Sequence, residues 1–257
     1  MTPTAPHHIS LPKTEPHSLG QDEAFFRLVE GGREVAIRFH DYDAIYRRPG
    51  LYEQLFYRRL LCVSPSKARD VLLKVFEENR LDAHLLRVLD LGAGNGMLGE
   101  LLDVARMIGV DISEAAREAC ERDRPHAYDA YYVADMARPP AGLLAELRGW
   151  QINCLTCIAA LGFGDIPVTA FANAYDLVES GGWVVFNVKE TFLHEDDRTG
   201  FARLVKRLML DDLMQVHHLE RYRHRISIDG SPLFYYLVVG RKKAEIPPRL
   251  VEGAGGA

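Results

Sequence analysis

The stretch Val88-Leu-Asp-Leu-Gly-Ala-Gly-Asn-Gly96 places three glycines directly after a short run of apolar residues. Glycine lets a chain turn sharply at the end of a buried strand and lets a ligand approach the backbone amides. Ligands of open α/β sheets bind at this edge of the sheet. The stretch therefore predicts a ligand-binding loop at residues 92–96, followed by a helix from about Met97. A tight strand-to-helix turn without a ligand is the alternative.

From Arg87 onward, short runs rich in Val, Ile and Leu alternate with helical stretches. This alternation is typical of a parallel sheet with crossover helices. Two further strands, joined by a turn at Asp229-Gly230-Ser231-Pro232, predict an antiparallel pair at the end of the chain. We expect a doubly wound α/β fold with a mostly parallel, seven-stranded, Rossmann-like sheet. Its strands are predicted at residues 88–91, 107–110, 130–134, 152–156, 183–188, 216–226 and 233–239.

The residues before this core predict a smaller N-terminal cap. Alternating apolar residues on both sides of Glu30-Gly31-Gly32-Arg33 indicate a hairpin, and Ser64-Pro65 can begin a helix that runs to about Asn79. We expect the following divisions: a flexible tail at 1–20, a cap of hairpin and helices at 21–86, the core at 87–243 and a C-terminal tail at 244–257.

Composition excludes several classes of protein. The chain has 257 residues, of which 47% are apolar and 26% charged, so it can bury a full core. A net charge of −5 gives no general attraction for nucleic acid, which we do not expect as a partner. No apolar stretch approaches the roughly 20 residues of a membrane span, and no signal peptide is evident, so we expect a cytoplasmic protein. Four scattered cysteines do not make a disulfide framework.

Two acidic residues stand where the next strands end. Asp111, in Gly-Val-Asp-Ile-Ser, follows one apolar run, and Asp135, in Val-Ala-Asp-Met, follows the next. A carboxylate at the first tip can accept hydrogen bonds from two ribose hydroxyls, and one at the second can reach an adenine amino group beside Met136. Together with the glycine loop they outline a pocket for a nucleoside. Capping of the following helices is the alternative for both residues.

The segment Gly94-Asn-Gly96-Met-Leu-Gly99 also matches the dinucleotide fingerprint G-x-G-x-x-G. Asp90 before the loop, the late first strand and the antiparallel pair at the end instead resemble class I methyltransferases that use S-adenosylmethionine. In that superfamily an acidic residue precedes a G-x-G-x-G loop, as Asp90 precedes Gly92, Gly94 and Gly96 here. The resemblance covers roughly residues 87–243.

The resemblance implies a role for each of these positions. It implies that the loop, with Ala93 and Asn95, contacts the methionine part of S-adenosylmethionine, and that Asp111 with Ile112 holds the ribose. Asp135 and Met136 would then contact the adenine. The segment Tyr42-Asp-Ala-Ile-Tyr46 is similar in placement to a tyrosine-containing lid, so that Tyr42 or Tyr46 would cover the cofactor; packing of the rings is the alternative. More loosely, residues 160–167 resemble the Williams-Beuren-region methyltransferase-like group.

Methyl transfer from a sulfonium requires alignment and exclusion of water, whereas a general base is optional. The candidates for a base are His194, Asp165 and Tyr222, with a solvated loop position the alternative for His194 and a helix cap for Asp165. Cys154 and Cys157 are three apart on a strand and so point to opposite faces, which does not favour a metal site. We expect Cys154 in the core and Cys157 near the cofactor at the strand tip.

The sequence therefore predicts a methyltransferase that uses S-adenosylmethionine, releases S-adenosylhomocysteine and methylates an oxygen, nitrogen or carbon nucleophile of a small molecule. No Asn/Asp-Pro-Pro-aromatic motif follows the fourth strand, which disfavours methylation of adenine amino or glutamine amide groups. Two alternatives stay open, an NAD(P)-dependent oxidoreductase and a non-catalytic module that binds S-adenosylmethionine or a partner protein. The oligomeric state is not predicted.

Overall fold

The computed structural model describes residues 6–11, 24–161, 166–194 and 197–251. Within these residues, three strands form a small N-terminal sheet and seven form the main sheet. The small sheet comprises β1 (His8–Ser10), β2 (Phe25–Glu30) and β3 (Arg33–Arg38). The main sheet comprises β4 (Arg87–Leu91), β5 (Arg106–Asp111), β6 (Ala130–Val133), β7 (Cys154–Leu161), β8 (Trp183–Lys189), β9 (Met214–Ile226) and β10 (Pro232–Lys242). The α-helices are α1 (Tyr42–Tyr46), α2 (Ser64–Glu78), α3 (Glu114–Asp123), α4 (Leu143–Gly149), α5 (Val168–Asp176) and α6 (Phe201–Leu210).

The main sheet has the strand order β6-β5-β4-β7-β8-β10-β9. The first five of these strands are parallel, and β10 runs antiparallel to both β8 and β9. This confirms the doubly wound, seven-stranded sheet with an antiparallel C-terminal pair. The strand order reverses between β4 and β7, so the point where such sheets bind ligands lies above these two strands.

Alternation along the strands gives the main sheet two buried faces. Leu89, Leu155 and Phe186 point to the face that α4, α5 and α6 cover, where the first core cluster lies. The opposite face, which includes Val88 and Cys154, packs on α2 as a second cluster. The sequence placed α2 in the cap, whereas its buried side chains pack on the core sheet. A third apolar cluster joins the small sheet to the residues around α1 and forms the interior of the cap.

The first twenty residues are not entirely a flexible tail, because β1 pairs antiparallel with β2. Ile9 is 8% exposed and packs into the cap, as alternation in a short strand allows. The amide of His7 donates to Gln54 Oε1 at 2.7 Å, and Gln54 Nε2 donates back to the carbonyl of His7 at 2.6 Å. This reciprocal pair fixes the strand to the cap.

Three further segments differ from the sequence predictions. The helix expected from Met97 is a short 3-10 turn, Gly99–Leu101, and a Cβ on Gly99 would lie 2.8 Å from the carbonyl oxygen of Ala127. The chain is packed too closely there, and reaches β5 too soon, for an α-helix. The segment before α2, where apolar residues from Leu51 to Leu61 recur at helical spacing, forms a π-helix, Glu53–Arg59, instead of an α-helix. At the C-terminal end, Ile246 and Leu250 are buried in the first core cluster, so residues 244–251 are not a loose tail.

Among the described residues, no helix is long and apolar enough to cross a membrane. The same residues contain no group of three His, Cys, Asp or Glu side chains placed to hold a metal ion.

Candidate functional site

A cavity of about 490 Å³ opens at the carboxyl ends of β4, β5, β6 and β7, where the strand order of the sheet reverses. The glycine loop and the strand ends form its floor, and the cap forms its roof. A volume of this size falls within the roughly 300 to 1,000 Å³ that is usual for sites of small ligands. The position is the one that the sequence predicted for the ligand.

The glycine loop leaves no space for a side chain at Gly92 or Gly94. Gly94 has a φ of +53°, and a Cβ there would lie 2.7 Å from the hydroxyl of Tyr46 in the cap. Gly92 has a φ of +77°, and its Cβ would lie 2.8 Å from the Cβ of Ala160 after β7. Glycine is therefore required at both positions by conformation and by contact. Gly96 instead faces α3, where its Cβ would meet Cys120, so it shapes the loop without lining the cavity.

Asp90 lies near the end of β4, shortly before the glycine loop, and is hydrogen-bonded to two neighbouring hydroxyl groups. Its two carboxylate oxygens accept hydrogen bonds from the hydroxyls of Thr156 at 2.7 Å and Tyr128 at 2.8 Å. Burial raises the pKa of Asp90 to about 6, although these two hydrogen bonds act in the opposite direction. Tyr131 supports the loop in a similar way, since its hydroxyl donates to the carbonyl of Gly94 at 2.7 Å. The sequence analysis predicted Asp90 but did not predict the two tyrosines.

Asp111 lies at the end of β5 and orders the loop from the side. One carboxylate oxygen accepts the amide of Gly94 at 2.9 Å, and the other accepts the amide of Ser113 at 2.9 Å. Burial raises the pKa of Asp111, and the amide donors partly offset this effect. The carboxylate borders the cavity and each oxygen has a further lone pair. The next side chain, Ile112, is 68% exposed at the rim.

Asp135 and Met136 border the cavity beyond the end of β6. Asp135 Oδ1 accepts the amide of Ala137 at 2.9 Å, so the residue stabilises a turn and faces the cavity at the same time. Met136 is 2% exposed and joins the first core cluster. An acceptor thus lies beside an apolar wall, as expected for an adenine site.

The cap covers the cavity with tyrosines. The rings of Tyr42 and Tyr46 stack with their centroids 6.1 Å apart, and those of Tyr46 and Tyr52 lie 4.9 Å apart. Burial raises the pKa of Tyr46 and of Tyr52, so both hydroxyls stay protonated at neutral pH. These rings pack against one another and also border the cavity. Packing of the rings and a position over the cavity are therefore both compatible with the structure.

Hydrogen bonds attach the cap directly to the loop. Glu53 Oε1 accepts from Asn95 Nδ2 at 2.7 Å and from Arg124 Nη1 at 2.8 Å. On the other side of the cavity, the hydroxyl of Ser113 donates to Asp43 at the start of α1. The roof is therefore held on both sides of Gly94.

The structure brings most of the predicted binding residues together. Those that line the cavity are Tyr42, Tyr46, Asp90, Gly92, Ala93, Gly94, Asn95, Asp111, Ile112, Asp135 and Met136. Cys157 does not line it: the side chain is fully buried in the first core cluster, because alternation along β7 turns it into the sheet face. Cys154 lies in the second cluster, on the opposite face as predicted.

Neither His194 nor Tyr222 is among the described residues that line the cavity. His194 is exposed at the end of the short helix Glu190–Leu193 and does not line the cavity. Asp165 lies outside the described residues. Tyr222 is buried behind the cavity wall, where its hydroxyl is hydrogen-bonded to Ser64. The histidine that does line the cavity is His40, directly after β3, with its ring 5.8 Å from that of Tyr42. No motif marks His40, because the folding of the cap alone brings it there.

Comparisons with known proteins agree with this geometry. The family model described as a methyltransferase domain matches residues 56–226. The ubiquinone biosynthesis O-methyltransferase of Bordetella pertussis is 30% identical over 103 residues, which are 39% of this chain and 42% of that protein. The protein of the same name from Aromatoleum aromaticum is also 30% identical over 103 residues, 39% of this chain and 43% of that protein. The chain therefore spans less than half the length of the curated relatives it matches.

A solved structure with a similar outline is the N-methyltransferase NodS from Bradyrhizobium japonicum WM9 in complex with S-adenosyl-L-homocysteine. It is 13% identical, with a TM-score of 0.48, over 79% of this chain and 97% of that chain.

Proposed function

Because this chain belongs to the methyltransferase domain family, we propose that it transfers a methyl group from S-adenosylmethionine to a small-molecule acceptor. The observation that carries the proposal is the cavity itself, in which the glycine loop, Asp111 and Asp135 border one space at three adjacent strand ends. A Cβ at Gly94 would enter the contact between the loop and Tyr46, so the loop is shaped for close approach. The residues present therefore fit the cofactor.

Each residue contributes binding or alignment. We assign Asp111 to the ribose hydroxyls, Asp135 and Met136 to the adenine, and the amides of the loop to the methionine part. Asp90 acts through the loop, because hydroxyl groups of the protein already occupy both of its oxygens. When bound, S-adenosylmethionine supplies an electrophilic methyl group on a sulfonium. The chain orients the acceptor in line with this group and excludes water beneath the tyrosines of the cap.

A proton must leave when a hydroxyl or an ammonium group is methylated. Within the described residues that line the cavity, His40 carries the imidazole, and we propose it as the group that takes this proton. His194, one of the candidates in the sequence analysis, does not line the cavity and is not proposed for this role. We expect oxygen as the accepting atom, since the curated relatives are named as O-methyltransferases. A cytoplasmic location and the absence of a nucleic-acid partner remain predictions.

The structure favours this function over a dinucleotide oxidoreductase. Dinucleotide sites place the pyrophosphate at the N-terminus of the helix that follows the glycine loop. Here a 3-10 turn at Gly99–Leu101 replaces that helix, and the aligned amides of an α-helix are missing from residues 97–101. The segment therefore matches G-x-G-x-x-G in sequence but lacks the α-helix that binds the pyrophosphate in dinucleotide sites.

Calorimetric titration with S-adenosylhomocysteine, with NAD as the comparison ligand, tests the proposal. Saturable binding of the nucleoside and none of NAD is the expected result; the reverse would establish the oxidoreductase. Gly94→Ala should weaken nucleoside binding about tenfold or more, because the new Cβ collides with Tyr46. The matched control is Gly230→Ala, which imposes similar strain at a φ of +83° but adds a Cβ in open space. If both variants lost the same nucleoside affinity, the glycine loop would not be part of the binding site.

Binding without turnover would support the non-catalytic alternative instead. Transfer of a radiolabelled methyl group to phenols, amines and activated carbon acids distinguishes the two. If the protein binds S-adenosylhomocysteine and no acceptor in this panel is labelled, the enzymatic part of the proposal fails.

A further inference from the structure

One end of the cavity lies away from Asp135 and differs from the rest in chemistry. It is bordered by Tyr52 and Tyr57 from the cap, Pro65 from α2, Leu98 after the glycine loop, and Ile158 and Ala159 from β7. Leu98 and Ile158 are 5% and 8% exposed. This group, which we call the apolar end, lies where the second core cluster meets the cluster of the cap. Because the strand order is β6-β5-β4-β7, Ile158 and Ala159 lie on the other side of the glycine loop from Asp111 and Asp135, which are assigned to the nucleoside.

The apolar end has no charged side chain among its members. The carboxylates that border the cavity belong to Asp41, Asp43, Asp90, Asp111 and Asp135, and no Lys or Arg is found among the described residues that line it. Glu53, the residue after Tyr52, is not among the described residues that border the cavity; its Oε1 accepts from Asn95 and Arg124, and its Oε2 is buried without a hydrogen-bond partner. Arg225, behind the cap, donates to the carbonyl of Ile226 and lies 5.9 Å from the ring of Phe56. An anion in this end would have no cationic partner.

The wall formed by β7 is held in place from behind. Ala159 has a φ of +62°, and the pairing of β7 with β8 shifts register between Cys157 and Leu161. The amide of Ala159 donates to Asn187 Oδ1 at 2.7 Å, and Asn187 Nδ2 donates to the hydroxyl of Tyr222. A side chain buried on β8 thus stabilises a conformation that alanine rarely adopts.

The groups behind this wall are also uncharged. Asn187 Nδ2 donates to Ser64 Oγ at 3.1 Å, and Ser64 Oγ lies 2.5 Å from His224 Nδ1. Burial lowers the pKa of His224 well below its usual range, so the imidazole is neutral. The polar atoms of this network bond to one another, which leaves an apolar surface facing the cavity.

We propose that the apolar end is the acceptor subsite and that it takes an uncharged, apolar acceptor in preference to carboxylate, phosphate or ammonium compounds. The inference rests on the proposed function, because it assumes that the nucleoside occupies the opposite end. Its physical basis is desolvation: an ion loses its water on entry and none of the side chains that form the apolar end carries the opposite charge, whereas an apolar ring contacts Pro65, Leu98 and Ile158. The hydroxyl of Tyr52 is hydrogen-bonded with Tyr46 and that of Tyr57 with Cys62, so the two tyrosines offer their rings to the acceptor.

Three probes that share a naphthyl ring and differ in the charge of the substituent test the preference: 2-naphthol, 2-naphthoate and 2-naphthylmethylammonium. Each is titrated at pH 7 into the full chain saturated with S-adenosylhomocysteine, and again without it. We expect 2-naphthol to bind at least about tenfold more tightly than either ion. Equal or tighter binding of an ion would overturn the proposal, as would the absence of binding by all three probes.

Charge reversal locates the subsite. Ile158→Lys places an ammonium at the apolar end and should reverse the preference, so that 2-naphthoate binds more tightly than 2-naphthol. Tyr57→Lys makes the same change from the half-buried cap side, where a long side chain is accommodated more easily. Leu219→Lys, at a 52% exposed position on β9, is the control and should change nothing. An unchanged preference in Tyr57→Lys, with nucleoside binding intact, would place the acceptor elsewhere.

The two proposals fail separately. Loss of nucleoside binding by the wild-type chain counts against the methyltransferase function, whereas the probe titrations without S-adenosylhomocysteine still measure the preference of the apolar end.

Discussion

Asp111 shows how one side chain can organise a loop and still serve a ligand. Its oxygens accept the amides of Gly94 and Ser113, which fixes the carboxylate at the rim of the cavity. A helix cap and a ribose contact are therefore not competing interpretations here, because a carboxylate offers about four acceptor positions. The local geometry that caps the turn is also the geometry that presents the free lone pairs to the cavity.

Replacement of Asp111 should consequently affect binding more than folding. We expect Asp111→Ala to weaken binding of S-adenosylhomocysteine by roughly 1 to 3 kcal/mol, through lost hydrogen bonds to the ribose. Calorimetric titration measures the change. Asp129→Ala is the control, because Asp129 accepts the amide of Met107 at the opposite edge of the sheet and does not line the cavity. Nucleoside affinity that is equal in wild type and Asp111→Ala would reduce Asp111 to a cap.

The raised pKa of Asp90 makes a prediction about stability and pH. The folded-state pKa is about 6 and the ordinary value is 3.8, so the folded protein holds a proton that the unfolded chain has released between these pH values. The free energy of unfolding due to Asp90 must therefore fall as pH rises through this window, by about 3 kcal/mol. Asp90→Asn has no such charge, and its amide can still bond to the hydroxyls of Thr156 and Tyr128.

Urea unfolding at pH 4 and pH 7 tests this sign. Relative to wild type, Asp90→Asn should gain about 2 kcal/mol in the free energy of unfolding between the two pH values. Asp229→Asn is the control and should show almost no change between these pH values, because hydrogen bonds from Ser231 lower the pKa of Asp229 and its linked stability is lost only below about pH 4. A difference between Asp90→Asn and wild type that does not vary with pH would show that the buried carboxylate is not destabilised.

Among single residues, the sequence predicted those whose position follows from the pattern of their immediate neighbours in the chain. Asp90, Gly94 and Asp111 are marked by the ends of strands and by the spacing of the loop, and all three lie at the cavity. Tyr131 and His40 carry no such mark. The first reaches the loop only because β6 lies beside β5, and the second only because the cap folds over the sheet, and neither contact has a signature within a few residues of the chain.

At the scale of elements, the strands were predictable and the irregular segments were not. Alternating and continuous apolar runs locate the strands of the main sheet, since burial on one or two faces determines the composition of a strand. The missing helix after the glycine loop and the π-helix at Glu53–Arg59 depend instead on contacts between distant segments. The irregularity of β7 at Ala159 is of the same kind, because Asn187 stabilises it from the neighbouring strand.

The left-handed backbone of Ala159 predicts an unusual effect of glycine. Ala159→Gly should raise the free energy of unfolding by up to about 1 kcal/mol, because glycine adopts a positive φ without steric cost. Ala145→Gly is the control: this alanine is exposed within α4, where glycine should cost about 1 kcal/mol. Thermal or urea unfolding measures both variants. A loss at Ala159 as large as that at Ala145 would contradict the strained conformation.

At the scale of the whole molecule, a buried arginine is one of the links between cap and core. Arg124 follows α3 in the core, and its side chain is 10% exposed. It pairs with Glu53 of the cap at 2.8 Å and with Glu100 of the core at 2.9 Å. The side chain of Glu53 is 21% exposed and that of Glu100 is 58% exposed, so water screens the pair with Glu100 far more. We therefore expect the Arg124–Glu53 pair, which joins cap and core, to stabilise the fold more than the Arg124–Glu100 pair does.

This asymmetry predicts different results for two otherwise similar variants. Glu53→Ala should lower the free energy of unfolding by about 2 to 3 kcal/mol, because it leaves a buried guanidinium without its main partner and also releases Asn95. It should also speed hydrogen exchange in residues 42–60 while leaving β4 and β5 protected. Glu100→Ala should cost less than about 1 kcal/mol, with no change of exchange in the cap. If both variants exchange alike, the cap is held to the core by its apolar contacts, and the ion pair contributes little to the roof over the cavity.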